Sequence, residues 1–378
     1  MNPFIATAGA GVLVYAAVTI PRNAIKARGK RAEAKAKKPL VIDPAQYGLV
    51  PASQLDTGRA QPDPEADAVV AAALAGDWRR PAAYLADAGR DWDLRWYRLG
   101  CIGEAAADDD TWLRAWHAER PGDPDAAIVY ADMLVSLAGR ARGAKGAEYT
   151  TGEQFQGFHQ FLAEALPACR EAARLAAPDD PTPWVSQITI AFGQGWSHED
   201  FRLLWTQIVL RDPHHFGAHV GALQYWCAKW RGSKELMFEF AEQAAVSAPR
   251  GSLLPVLRLY AIFEHAYREP ESKIYAEPFV AAAVDATLDA VAQVPAGHHR
   301  LPTARNLLAD VLFQMKRHTE AVEQFRAIGG CIGSVPWTYF GDPVKEFVHA
   351  RTNSFVAWER AGRPAQPPRI GTTSGPSV

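Results

Sequence analysis

Beyond residue 65, apolar residues recur at three- and four-residue spacings, the period of a helix with one buried face. Residues 66–75, 94–107 and 111–118 show this spacing clearly, and Gly, Asp and Pro separate the runs. Such punctuation predicts helix–turn–helix units, and strand-like alternation is scarce. We therefore expect an all-α body over 65–360. A last helix over 344–360 carries Phe347, Val348, Phe355 and Trp358 to cap it. Residues 39–64 show little helical period. Pro39, Pro44, Pro51, Pro62 and Pro64 each remove a backbone donor there and disfavour helix before them, which predicts an extended linker. The Pro, Gly, Ser and Thr content of 361–378 predicts a disordered tail.

Residues 3–20 hold no charged side chain, a stretch just long enough to cross a bilayer. No Lys or Arg precedes it, whereas Arg22, Lys26, Arg28, Lys30, Arg31, Lys35, Lys37 and Lys38 all follow. A cleaved secretory signal carries its charges on the other side. The expected arrangement is a transmembrane anchor over 1–21, a basic segment over 22–38 that meets lipid headgroups, and a cytoplasmic body, by the positive-inside rule.

Pro178, Pro213 and Pro249 close successive helical pairs at separations of 35 and 36 residues. Ile188, Phe192, Phe201, Trp205 and Ile208 recur ahead of Pro213, with Thr189 the one polar residue of that set. Tyr225, Ala228, Met237, Ala241 and Ala244 recur ahead of Pro249. Leu308, Ala309, Leu312, Ala321, Phe325 and Ile328 form a further unit split near Lys316 to His318. The pattern resembles the tetratricopeptide repeat, whose period is roughly 34 residues. A more divergent unit over 126–178 needs an insertion near 140–151, where Gly139, Gly143 and Gly146 favour a loop. The run Lys229, Trp230, Arg231, Gly232, Ser233 is similar to a Lys-Trp-Gly-Gly-Ser signature in a bacterial helical-repeat family of unknown activity, with Arg231 in place of its first Gly. The resemblance implies a tetratricopeptide-like α-solenoid of stacked antiparallel helix pairs, each covering its neighbour's apolar face.

Charge removes some alternatives. The net charge is -2, but residues 1–38 carry eight Lys/Arg against one Glu, which leaves the rest of the chain acidic. Phosphate recognition needs clustered Lys and Arg on the folded surface, so nucleic acid is not an expected partner. Cys101, Cys169, Cys227 and Cys331 form no C-x-x-C pair and read as reduced, buried thiols. No nucleophile elbow, phosphate loop or dinucleotide fingerprint occurs, and no cofactor is expected.

His214, His215 and His219 are the one histidine group dense enough to suggest zinc, for a metal-assisted hydrolase. The carboxylate such motifs need is missing, so no metal site is assigned. Asp108 to Asp110, and His198 to Asp200, sit where helices begin and read as caps. What remains is recognition. The repeat resemblance implies that first helices line a concave groove, which selects His219, Trp226, Lys229 and Trp230 in one unit and Asn306 and Asp310 in another. Trp226 and Trp230, four apart, suit packing inside the array slightly better than binding. Ala222 stands where members that clamp a peptide carboxylate need a Lys or Arg. The expected function is a membrane-tethered scaffold or adaptor for a protein or peptide, with a structural subunit of an envelope assembly as a further alternative.

Overall fold

The computed structural model describes residues 41–143 and 150–365. Among these residues the chain is all-helical, with no strand and one isolated parallel bridge between Asp56 and Cys331. The segments expected as anchor (1–21) and basic collar (22–38), and the tail from 366 onward, lie outside the described residues. No described helix is long and apolar enough to cross a membrane.

The first half holds α1 (Pro64–Leu74), α2 (Arg79–Ala86), α3 (Trp92–Asp108), α4 (Thr111–Glu119), α5 (Pro124–Arg142), α6 (Gly152–Leu175), α7 (Thr182–Val185), α8 (Gln187–Gln194) and α9 (His198–Val209). The second holds α10 (Phe216–Trp226), α11 (Lys234–Ser247), α12 (Leu257–Arg268), α13 (Pro278–Gln293), α14 (Leu301–Gln314), α15 (His318–Ile328) and α16 (Pro343–Arg360). Local chemistry sets many of the starts. The side chains of Asp63, Asp91, Asp123, Ser197, Ser233 and Asp342 accept first-turn N–H groups, and Thr151 with Gln154 forms a reciprocal capping box. Pro occupies the first turn of α1, α5, α13 and α16, where no donor is lost. Pro178, Pro213 and Pro249 all fall between helices.

Helices pack on their sequence neighbours and on the next but one, as α5 does on α6 and α3, and α12 on α11, α10 and α14. The apolar core has two parts, one running from Ala66 to Trp226 and the other, mostly, from Phe216 to Phe355. They meet at α10, all of whose residues are buried: Ala218, Ala222 and Tyr225 face one part while Val220 and Leu223 face the other. A helix apolar all round belongs inside a body, and α10 fits that rule.

Residues 39–64, expected as a free linker, are docked over their described part. Asp56 N–H donates to Gly330 O at 2.8 Å, Ile332 N–H to Asp56 O at 2.7 Å and Gly333 N–H to Arg59 O at 2.8 Å. Arg351 Nη1 donates to Val50 O at 2.8 Å, and the Tyr47 ring packs edge-on to Phe355 at 4.9 Å. The prolines keep this strap out of long helices, but its backbone carbonyls at Val50, Asp56 and Arg59 and the Asp56 N–H find partners in the C-terminal third. Gly333 permits the approach, since a Cβ there would sit 2.2 Å from Arg59 N. Gly333→Ala should therefore lower stability by about 2 kcal/mol or more and speed tryptic cleavage at Arg59. Unchanged melting and cleavage would show that the strap contributes nothing to the fold.

Candidate interaction surface

Distant parts of the chain meet at Asp93, in the first turn of α3. Gly217 N–H donates to Asp93 Oδ1 at 2.7 Å, while His299 Nε2 and Arg300 Nε each lie 2.8 Å from Oδ2. His215 Nδ1 is 3.2 Å from Oδ1 and also 3.1 Å from Ala218 N, at the start of α10. Burial alone would raise the Asp93 carboxyl, but the Arg300 guanidinium and the histidine bonds hold it well below the usual carboxylate range. Arg300 is itself boxed by Trp96, Tyr97 and Phe216, 5.3 to 5.7 Å from their ring centroids. The hub joins α3, α10 and the start of α14.

The six groove candidates do not form an open groove. His219, Trp226, Asn306 and Asp310 are buried, the Lys229 side chain is 1% exposed and Trp230 is half-buried. For Asn306 and Lys229 the physical reason is that the chain's own segment between α15 and α16 covers them. Trp337 Nε1 donates to Asn306 Oδ1 at 2.8 Å, Lys229 Nζ lies 3.2 Å from the Tyr339 hydroxyl, and Tyr267 donates its hydroxyl to Tyr339 O at 2.8 Å. Beneath them Glu264 takes Lys229 Nζ at 2.7 Å and Gln224 Nε2 at 3.0 Å, and bonds the Tyr339 hydroxyl. Burial opposes ionisation of Glu264, yet Lys229 and the three bonds keep its carboxyl below the usual range. Burial and the neighbouring Glu264 push Tyr339 well up, so it serves as a neutral donor.

The 229–233 signature is explained residue by residue. Lys229 neutralises Glu264, and the Trp230 ring packs 4.5 Å from Phe192. Arg231 O lies 2.7 Å from His198 Nε2, and Ser233 caps α11. A Cβ at Gly232 would come 1.9 Å from Trp226 O, so only glycine fits without a backbone shift.

His214, His215 and His219 do not converge on a common point. His215 turns to Asp93, while His219 Nδ1 lies 2.9 Å from the His215 carbonyl, with its ring packed against Trp205 and Phe240. Burial pushes His219 down to about 4, leaving it neutral near pH 7. Among the described residues no group of three or more His, Cys, Asp or Glu is arranged to hold a metal ion. Asp109 accepts from Thr111 N–H at the start of α4, whereas at α9 the cap is Ser197, which accepts from Asp200 N–H, and His198 to Asp200 form the first turn. Cys101, Cys169 and Cys227 are buried and unbridged, and burial pushes Cys101 up to about 12.

Three groups were not singled out by sequence: Asp93, Glu264 and Asp132. Glu264 is a lone carboxylate in the apolar run of α12, a detectable signal. Asp132, on α5, faces Gly103 of α3 so closely that a Cβ there would meet Asp132 Oδ2 at 2.2 Å. Burial, then the Glu104 carboxylate, pushes its carboxyl up to about 7.

An open apolar groove lies elsewhere, on α11, α12 and α13. Phe238, Ala241, Ile262, Phe279, Ala282 and Ala286 line an apolar groove of about 420 Å³, edged by Glu242 paired with Arg258 at 2.7 Å. Phe279 is 49% exposed and extends the groove's apolar lining to the surface. Comparison of the chain with known protein families, curated proteins and solved structures gave no match.

Lys229→Met should cost about 3–5 kcal/mol by stranding the Glu264 charge, and adding Glu264→Gln should recover part of it; chemical denaturation of both variants measures the difference. Asp132 sets a pH dependence of the opposite sign to a salt-bridged acid. Its folded value of about 7 lies above the unfolded 3.8. Its stabilising contribution is thus complete below the unfolded value and is lost as pH rises through the folded one. Histidines whose folded values are lowered, His219 among them, act in the opposite sense up to about pH 6.5. The measured quantity is therefore the difference between variants: the melting temperature of Asp132→Asn relative to the parent chain should climb from pH 5 to pH 8, reaching several degrees at pH 8, following the usual size scaling.

Proposed function

We propose that this chain is a membrane-tethered helical-repeat scaffold that binds an amphipathic helix of a partner protein on its outer face. The observation that carries the reading is the alanine-floored groove between α11 and α13, with Phe279 exposed at its edge. Small residues let a helix backbone approach, while Phe238 and Phe279 offer apolar area to side chains spaced three and four apart. The proline period and the packing of each helix on its neighbours support a tetratricopeptide-like solenoid, the architecture in which successive pairs build extended surfaces. The uncharged stretch 3–20, followed by eight basic residues, supports the tether and a cytoplasmic body.

Relative to the sequence expectation, the binding surface moves from the concave positions around Lys229 and Asn306 to the outer groove, because the former are filled by Trp337 and Tyr339. Crosslinking of the full chain in its native membrane should recover a partner whose capture falls at least tenfold with Phe279→Asp and with Ala282→Trp, which fills the groove. Tyr130→Asp, a control at an exposed aromatic on α5, should leave capture intact. Equal capture by all three variants would refute the groove. The tether is tested separately: the full chain should resist alkaline extraction from membranes, and release by that treatment would remove it.

A further inference from the structure

The groove has two helical walls, α11 and α13, and a floor. Phe238 and Phe279 meet across one end, with ring centroids 6.1 Å apart, and beyond the other end Arg250 Nε donates to Gln293 Oε1 at 3.1 Å. Ile262 and Arg258 of α12 lie between the walls. On α11 the exposed residues Glu235, Glu239 and Glu242 fall at i, i+4 and i+7, one stripe along the rim. On α13 the exposed charges are Asp285 and Asp289. Against these five carboxylates the two wall helices carry a single basic residue, Lys234, at the first position of α11. Arg317 of α15 pairs with Asp285 at 2.7 Å, so the acidic excess sits mainly on the α11 rim.

The ion pair at the groove edge has a direction. Arg258 Nε and Nη2 each donate to one oxygen of Glu242, both at 2.7 Å, which occupies that edge of the guanidinium. The Arg258 side chain is 23% exposed and that of Glu242 58%, so an incoming group meets the carboxylate first. Arg258 holds the Glu242 carboxyl below its usual range, and it is ionised at neutral pH. Each oxygen has lone pairs beyond the one given to Arg258. A ligand carboxylate would have to displace Glu242 from Arg258 and pass the other wall carboxylates, whereas a ligand cation meets neither obstacle. For folding alone, an exposed pair of this kind contributes little.

Resting on the groove reading above, we propose that the partner helix is basic. Its small and apolar side chains, three and four residues apart, enter over Ala241, Ala282 and Ala286, and Lys or Arg side chains flanking them reach Glu242 and Glu239. Long basic side chains suit this geometry, because their methylene stems can cover Phe238 and Phe279 while the charged ends stay at the wet rim. Apolar burial then supplies the affinity, and the rim supplies the choice of partner. An acidic helix with the same apolar pattern is rejected by like charge at that rim.

The test uses two photo-crosslinking peptides of about 18 residues, long enough to hold a helix. They share one Leu and Ala pattern and differ only in carrying Lys or Glu at the polar positions. Both compete for the full chain in phosphatidylcholine nanodiscs, with crosslinks mapped to α11 and α13. Several exposed pairs acting together should favour the Lys peptide there about tenfold, and about 0.5 M salt should remove most of that preference. Glu239→Gln combined with Glu242→Gln, which keeps an acceptor for Arg258, should reduce it to about threefold or less. Ala282→Trp keeps every charge but fills the groove, and should remove both peptides; melting curves report whether the variants fold. If neither peptide crosslinks at α11 and α13, or Ala282→Trp changes nothing, the groove itself is refuted and this inference with it. If both peptides are captured equally and Ala282→Trp removes both, the groove stands and the basic partner does not. A preference for the Glu peptide, or one unchanged by the two Gln substitutions, likewise overturns the inference. So does displacement of both peptides by dodecanoate at lower concentration than by unlabelled Lys peptide, which would assign the groove to an acyl chain.

Discussion

A carboxylate taken out of water must be met by donors, and in this protein the donors to Asp93 come from far along the chain. Gly217, His299 and Arg300 reach it across more than a hundred residues of sequence. Removing any one of them would leave a charge with too few partners in a poorly solvated place. The hub therefore ties the N-terminal end of α3 to α10 and α14, whereas most other contacts join near neighbours. Glu264 makes a second hub of the same kind, with donors from α10, from the turn after it and from the segment before α16. Apolar burial supplies most of the stabilisation, and these two carboxylates restrict which arrangement of helices it favours.

Much of the helical content was legible because it rests on local signals. Apolar spacing placed α1, α3, α4 and α16 within a few residues of their observed ends, and Pro178, Pro213 and Pro249 fell between helices. The signature glycine, Gly232, was legible as a special position but its reason was not, since the clash it avoids is with a carbonyl six residues earlier. Long-range docking left no periodic trace. The prolines of 39–64 mark non-helical backbone, and that mark is identical for a free spacer and for a strap bonded to Gly330, Ile332 and Gly333.

The groove residues illustrate the same limit. Lys229 and Asn306 carry polar groups of the kind that hold a peptide segment, and here both bond side chains of the chain's own 3-10 turn, Trp337–Tyr339. Residue type was informative about the role, while the identity of the occupant depended on how the C-terminal third folds back. Asp132 shows the converse, an ordinary-looking polar residue on α5 whose raised carboxyl is created by burial against α3, where Gly103 and Glu104 face it.

The strap also sets a load path. The strap reaches α16 through Tyr47, which meets Phe355, and Val50, which meets Arg351, before the chain arrives at α1. Tension applied through the preceding chain would be borne first by this junction between the two ends of the body, with the backbone bonds at Asp56 and Arg59 behind it. The helices in between would feel the pull only after that clasp had opened.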